Sequence, residues 1–299
     1  MPDASGSRVV IAGGSGFLGR AIASELRLAG YTPLILGRSS KSDLEWDAKN
    51  LGPWAAGLDG AAGLINLVGE SISLPWTTDN RKKILDSRVE STSVLAQALA
   101  QLQQPPKVWL NASGVGVYGN RGDAVLTEED APGTGFLVDV VCAWEAAMFS
   151  APLPQIRRGA MRLGVVIGKD GGAIPTLAKL TRSFLGGAQG DGQQWFAWVE
   201  VSDAARMFVH ALREPLEGPI NAVSPNPVRN GDFMEELRAA VGRPWSPPAP
   251  KFGLKLASLF GAPDPELVLD SVRAMPEKLN RSGFVPKFSE IRGAIRAHV

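Results

Sequence analysis

"RVVIAGGSGFLGRAIASELRLAG", residues 8–30, is the stretch that sets the fold. "RVVIAGG" is a short apolar run that ends in glycines and reads as a buried strand. "FLGRAIASELRLAG" carries Leu18, Ala21, Ile22 and Leu26 on one stripe of a helix, and Gly30 stops it. Between them, Gly13, Gly14, Gly16 and Gly19 fit G-x-G-x-x-G from Gly14 and G-x-x-G-x-x-G from Gly13. Either pattern alone is weak. Between a strand and a helix it has the context of a dinucleotide site. Glycines permit the tight turn, Gly16 lets the backbone approach a pyrophosphate, and the helix N-terminus offers free N–H groups. The alternative is a Gly-rich turn that packs strand on helix and binds nothing.

The next strand bears on which nucleotide. "TPLILGRSS" ends without the Asp or Glu that an NAD site places there for the adenosine 2′-OH. Arg38, with Ser39 and Ser40, offers a cation and donors that suit a 2′-phosphate, or else a solvated surface. The expected cofactor is therefore NADP(H).

Farther out the rhythm repeats. "AAGLINLVGES" and "KVWLNAS" read as strands, "DNRKKILDSRVESTSVLAQALAQL" and "FLVDVVCAWEAAM" as helices, and "GAMRLGVVIG" as one more strand. Strands alternating with helices of this length imply an α/β fold with a doubly wound parallel sheet. After Gly168 the pattern changes. A short helix and a Gly-rich loop precede "WFAWVEVSDAARMFVHAL", a strand and helix with Ser202 or Asp203 as N-cap. Beyond Asn221 proline is frequent and helices dominate. Asn230 is the expected cap of "NGDFMEELRAAVGRP", with Gly242 ending it. Residues 7–168, with 196–220 returning, are expected to form the Rossmann domain. Residues 169–195 and 221–299 form a smaller, mainly helical substrate domain.

Composition narrows the function. The net charge is +1 and the basic residues are scattered, so neither a nucleic acid nor an anionic membrane is an expected partner. Cys142 is the only cysteine, which fits a reducing compartment, here the cytoplasm. The N-terminus lacks the pattern of a signal peptide. With one cysteine and two histidines, His210 and His298, no metal site is expected.

Several stretches now carry a resemblance: "IAGGSGFLGRAIASELRLAGY", "INLVGESI", "RKKILDSRVESTSVLAQAL", "NASGVGVYGNRGDAVLTEEDAPGTGFLVDVVCAWEAA", "RLGVVIGKDGGAIPTL" and "LGGAQGDGQQWFAWVEVSD". The chain resembles the extended short-chain dehydrogenase/reductases of the NAD-dependent epimerase/dehydratase type. More narrowly, it is similar to the "epimerase family protein" branch, whose C-terminal helical module the tail "DPELVLDSVRAMPEKLNRSGFVPKF" resembles. The resemblance implies that Gly13, Ser15, Gly16, Phe17 and Leu18 touch the pyrophosphate, and Arg38 and Ser39 the 2′-phosphate. It places Trp46 and Asp47 beside the adenine. Leu67, Val68, Gly69 and Glu70 follow the strand under the riboses, and Arg88 faces the site from the long helix. Glu70 and Arg88 could equally form a structural ion pair. Implied partners are a carbonyl or hydroxyl compound, or a nucleotide sugar. The resemblance also admits a homodimer through the two long helices beside the sheet.

Active relatives use a Tyr and a Lys spaced Y-x-x-x-K on one helix face, the Lys lowering the Tyr pKa. This chain has only Tyr31 and Tyr118, followed at that spacing by Ile35 and Gly122. No such pair exists. Tyr118 belongs to the strand-end "VYG". The resemblance implies that the dyad positions fall on the next helix, at Leu137 and Val141. Ser113 and Tyr118 remain the candidates for catalytic hydroxyls, against a turn-capping Ser and a buried ring as the alternatives. Other candidate acids are Glu70, Asp139 and an ordered water. The expected function is an NADP(H)-binding, epimerase-like oxidoreductase without the usual dyad. The rival is a catalytically silent NADP(H) sensor or interaction protein.

Overall fold

The structure, a computed structural model, describes residues 6–299. Alternation explains how the sheet is buried on both faces. In β1 (Arg8–Ala12), Val9 and Ile11 enter one apolar cluster, while Val10 and Ala12 enter the other. α1 (Phe17–Leu28) covers the first face through Ile22 and Leu26. β2 (Thr32–Gly37), β3 (Leu44–Glu45) and β4 (Gly63–Asn66) follow. α2 (Thr78–Ala100) covers the second face through Val94, Leu95, Ala98 and Leu99. β5 (Val108–Gly114) repeats the alternation, with Leu110 on the first face and Trp109 on the second. After β6 (Val125–Leu126), α3 (Phe136–Phe149) packs along α2.

"GAMRLGVVIG" is two strands, not the single one expected. β7 (Arg157–Leu163) joins the main sheet, and β8 (Val165–Gly168) leaves it for a three-stranded sheet with β9 (Gly171–Gly172) and β11 (Trp198–Glu200). Gly164 is the break. A Cβ there would stand 2.8 Å from the Ala197 carbonyl oxygen, so only glycine lets the chain turn so close to its neighbour. α4 (Ile174–Arg182) and β10 (Trp195–Phe196) flank that sheet. α5 (Val201–Arg213) returns to the first face beside α1, its Phe208 and Leu212 in the same cluster. β12 (Gly218–Ala222) then closes the main sheet at the edge. The seven strands are all parallel, in the order β12-β7-β5-β4-β1-β2-β3. Chain direction across the sheet reverses at β1 and β4, so the crevice beyond their C-terminal ends is the natural ligand site.

The rest is short and mainly helical: β13 (Val228–Arg229), α6 (Asn230–Ala240), α7 (Lys251–Leu259), α8 (Glu266–Leu269), β14 (Arg273–Ala274), α9 (Glu277–Arg281) and α10 (Ile291–Arg296). The helix expected to start at an Asn230 cap is capped one residue earlier, at Arg229. Gly242 ends it as expected, at φ +71°. Buried charges tie this part down. Glu200, not Ser202 or Asp203, caps α5: its Oε2 accepts from the Ser202 and Asp203 amides at 2.7 and 3.1 Å. Its Oε1 lies 2.8 Å from His298 Nε2. Asp203 turns the other way and accepts from the Lys287 and Phe288 amides, both at 2.8 Å. No helix among the described residues is long and apolar enough to cross a membrane.

Candidate active site and nucleotide crevice

The glycine turn is built as the spacing predicts. Gly13 has φ +77°, and a Cβ there would come within 3.3 Å of the Leu67 carbonyl carbon and the Val68 nitrogen. The turn thus lies against the segment leaving β4, and the Leu67 amide donates to Ala12 O at 2.9 Å. Gly19 touches Gly14, whose own Cβ position is filled by Ile35 Cδ1 at 2.6 Å. Gly16 is different. Only Gly13 O, at 3.4 Å, lies within 4 Å of where its Cβ would be. No side chain caps α1 and no acidic residue sits in its first turn. That end of the helix is open and positive, the arrangement that receives a pyrophosphate.

The side chains of Phe17 and Leu18 pack within the protein. Leu18 packs on the core. The Phe17 ring occupies a cradle of glycines: Cβ atoms at Gly168 and Gly171 would stand 2.3 and 2.4 Å from it. The β8–β9 turn therefore docks on the first residue of the nucleotide-binding helix.

Beside the turn is a cavity of about 410 Å³, lined among others by Gly14, Ser15, Arg20, Arg27, Ser39 and Lys41. Three cations face it, against the single carboxylate of Asp43. That carboxylate folds back to accept from the Ile35 amide at 2.7 Å. Arg38 is exposed at the end of β2, one residue before Ser39. Arg20, Arg27 and Lys41 were not singled out from the sequence. Their signal is present: Arg20 and Arg27 are two turns apart on one helix face, and Lys41 follows Ser39 closely.

Other expected contacts take structural positions. The Trp46 ring is buried edge-on against Trp54 at 5.1 Å. Asp47 accepts from Asn50 Nδ2 and from the Asn50 and Lys49 amides, which lowers its pKa to about 2. Leu67 and Val68 border the turn, and a Cβ on Gly69 would meet the Arg88 guanidinium at 2.8 Å. Arg88 itself donates to the carbonyls of Glu70 and Ile84, both at 2.9 Å, and stacks 5.0 Å over Trp144. Burial lowers its pKa to about 10, opposed by Glu70, so it stays charged at neutral pH. Glu70 and Arg88 thus meet through a backbone carbonyl. The Glu70 carboxylate accepts from the Ser71 amide and is exposed.

Leu137 and Val141 face the end of β5. Cβ atoms on Gly116 and Gly114 would lie 3.4 Å from Leu137 and 3.9 Å from Val141. Both belong to apolar clusters, Val141 with Val115, Val117 and Tyr118. Both side chains present hydrocarbon to the end of β5 and the turn after it.

Ser113 and Tyr118 lie in a buried polar row behind it. Register aligns Ser113, Arg162 and Asn221 on neighbouring strands β5, β7 and β12. Ser113 Oγ donates to Glu145 Oε1 at 2.6 Å, and Arg162 forks onto both Glu145 oxygens at 2.9 Å. Arg162 Nη1 also donates to the Tyr118 hydroxyl at 3.1 Å. That hydroxyl lies 2.8 Å from both Thr127 O and Asn221 Oδ1. Burial opposes the Arg162 charge, but Glu145 outweighs it and raises the pKa. Burial likewise pushes the Tyr118 hydroxyl up, away from the range of a base at neutral pH. Tyr118 is 0 % exposed and Ser113 4 %. Both hydroxyls have the partners of a structural network. Among the described residues, no group of three or more His, Cys, Asp or Glu side chains could hold a metal ion.

Comparison with known proteins agrees with this fold. Residues 9–223 match the NAD dependent epimerase/dehydratase family, and residues 249–298 match a domain of unknown function. The epimerase family protein SDR39U1 homolog of Arabidopsis thaliana, described as chloroplastic, is 33% identical over 97% of this chain and 86% of its own length. Human epimerase family protein SDR39U1 is 32% identical over 97% of this chain and 98% of its own. A crystal structure of the human protein with NADPH superposes with a TM-score of 0.89 at 31% identity, covering 97% of this chain and 98% of that one. With its glycine turn, seven-stranded parallel sheet and helical tail, the chain belongs to the NAD dependent epimerase/dehydratase family.

Proposed function

We propose that the protein is an NADP(H)-binding, epimerase-like oxidoreductase that acts without a Tyr-Lys pair. Its substrate would be a carbonyl or hydroxyl compound or a nucleotide sugar. The observation that carries the nucleotide assignment is the cavity beside the glycine turn, where Arg20, Arg27 and Lys41 outnumber Asp43. An excess of cations favours a 2′-phosphate over a free hydroxyl. The NADPH in the structure of the human relative supports the same choice. When bound, NADP(H) supplies or accepts hydride at the crevice. The chain's own part is to hold the pyrophosphate at the open Gly16 side and the uncapped end of α1. Leu137 and Val141 cannot carry a proton, and Tyr118 is enclosed. The proton then moves through water or the exposed Glu70 carboxylate. With a single cysteine, a reducing compartment such as the cytoplasm suits the chain.

A second reading rests on the same hydrocarbon surface. A site that has replaced both titrating residues with Leu and Val can keep NADP(H) as a sensed ligand. Screening NADPH oxidation across carbonyl compounds and nucleotide sugars tests both. Turnover supports the oxidoreductase. Tight NADPH binding with no turnover across the panel transfers the assignment to the sensor, and absence of NADPH binding removes both.

A further inference from the structure

One apolar cluster joins segments that meet at the C-terminal edge of the sheet. The chain leaving β4 brings Ile72 and Trp76, α2 brings Leu85, and the start of α3 brings Phe136 and Leu137. Leu267, on α8, reaches the same cluster from the helical C-terminal part. Its place follows from the strand ends. The Gly13 turn abuts Leu67 and Val68, and Ile72 and Trp76 lie a few residues farther along the same segment. Leu137 Cβ lies 3.4 Å from where a Cβ of Gly116 would stand, in the turn after β5. β4 and β5 are neighbours in the sheet. Both segments therefore emerge on the side where a parallel sheet receives its ligand. The Trp76 and Phe136 rings meet edge-on at 4.8 Å and tie the two together.

The cluster is not closed as the two sheet faces are. Ile72, Leu85, Phe136, Leu137 and Leu267 are all only partly buried. Half-exposed hydrocarbon gathered from four segments beside a nucleotide crevice has the character of a ligand wall. The hydrogen-bonding groups around it are engaged inside the protein. Trp76 Nε1 donates to Ile72 O and Asn80 Nδ2 to Pro75 O, both at 2.9 Å. Ser87 Oγ accepts from the Glu70 amide at 2.9 Å and donates to Ile84 O at 3.2 Å. Arg81 lies over the Phe136 and Trp76 rings, and its Nε donates to Trp76 O at 3.2 Å. A sugar hydroxyl set against this wall would leave water without gaining a partner, whereas an alkyl or aryl group gains by burial.

We propose that this wall receives the body of an apolar carbonyl compound, an aliphatic or aromatic ketone or aldehyde, and that the second ligand is not a nucleotide sugar. The assignment rests on the reading of the crevice as an NADP(H) site. It holds for the enzyme and the sensor alike.

The test is calorimetric, on the full chain saturated with NADP+, which cannot reduce a ketone. Straight-chain methyl ketones of six, eight and ten carbons and uridine diphosphate glucose are titrated separately. Affinity should rise by roughly tenfold or more from six carbons to ten, and the longest ketone should bind more tightly than the nucleotide sugar. Leu137→Asn, which puts an amide into the wall, should weaken the longest ketone roughly tenfold with NADP+ affinity unchanged. Leu267→Ala, on the opposite side of the cluster, should weaken it in the same direction and carries the comparison if Leu137→Asn does not fold. Leu256→Asn alters an exposed apolar residue of α7 outside the cluster and should bind as wild type does. The proposal is overturned if affinity does not follow chain length, or if uridine diphosphate glucose binds more tightly than the longest ketone. It is equally overturned if the ketone is lost in Leu256→Asn and kept in the two wall variants. Failure of wild type to bind NADP+ sinks the nucleotide reading instead, and the same ketone series on free wild type and Leu267→Ala still decides the wall.

Discussion

Tyr118→Phe removes one oxygen from a closed network, and its effect can be worked out in advance. The hydroxyl accepts from Arg162 Nη1 and faces two acceptors, Thr127 O and Asn221 Oδ1, with one hydrogen to give. Phenylalanine keeps the ring and its 5.3 Å stacking with Arg162. What is lost is the partner of a buried guanidinium N–H and of one buried acceptor. Each unsatisfied group costs about 1–3 kcal/mol, so a total loss of about 2–4 kcal/mol is expected. With a urea dependence of about 3 kcal/mol per molar for a chain of this size, the midpoint should fall by about 1 M. The assay is urea unfolding followed by tryptophan fluorescence and by circular dichroism, whose transitions must coincide. NADPH affinity should be unchanged, because Tyr118 is not among the residues around the glycine turn. A stability within about 0.5 kcal/mol of wild type would refute the network account. So would loss of turnover in a variant of unchanged stability, which would return Tyr118 to catalysis.

Two other perturbations probe different parts of the structure. Gly171→Ala puts a methyl 2.4 Å from Phe17 Cγ. Overpacking of this kind costs about 1–3 kcal/mol. It should also weaken NADPH binding by moving the first amides of α1. Gly253→Ala, whose added methyl meets only Pro250 at 3.6 Å, serves as the neutral control. Equal NADPH affinity in both variants would show that the glycine cradle does not position the turn. Asp270 gives a pH signature. Burial first, then Glu266 and Asp264, raises its pKa from 3.8 to about 6. Between those values the folded state binds more protons than the unfolded chain, so stability falls as pH rises through that window. Asp270→Asn should flatten the slope and raise the melting temperature at neutral pH. An unchanged slope would contradict the assignment.

Local pattern carried the reading as far as local chemistry reaches. Gly13 to Gly19 announced a nucleotide turn because each glycine answers a contact within a few residues or on the adjacent strand. The absence of a Y-x-x-x-K spacing is legible by counting tyrosines, and Leu137 and Val141 lie beside Gly116 and Gly114. Long-range partners were not legible. Ser113, Arg162 and Asn221 become neighbours only once β5, β7 and β12 are placed side by side. Glu200 was passed over as a cap because Ser and Asp are the usual ones. Its other oxygen meets His298, 98 residues away. The split at Gly164 was hidden because both halves of "GAMRLGVVIG" are apolar, and only the Ala197 carbonyl reveals why the strand must turn. Trp46 has an aromatic ring that could as well stack on a base as fill a core. In the structure it lies edge-on against Trp54.

The central claim is that this crevice binds NADP(H) in preference to NAD(H), and paired titrations of NADPH and NADH test it most directly. Wild type should bind NADPH more tightly by roughly tenfold or more, as expected for a phosphate held by charge-assisted hydrogen bonds. Lys41→Glu, which sets a second carboxylate beside Asp43 in the cavity, should erase most of that preference by weakening NADPH while leaving NADH nearly unchanged. Equal affinities in wild type, or a preference that survives Lys41→Glu intact, would contradict the account.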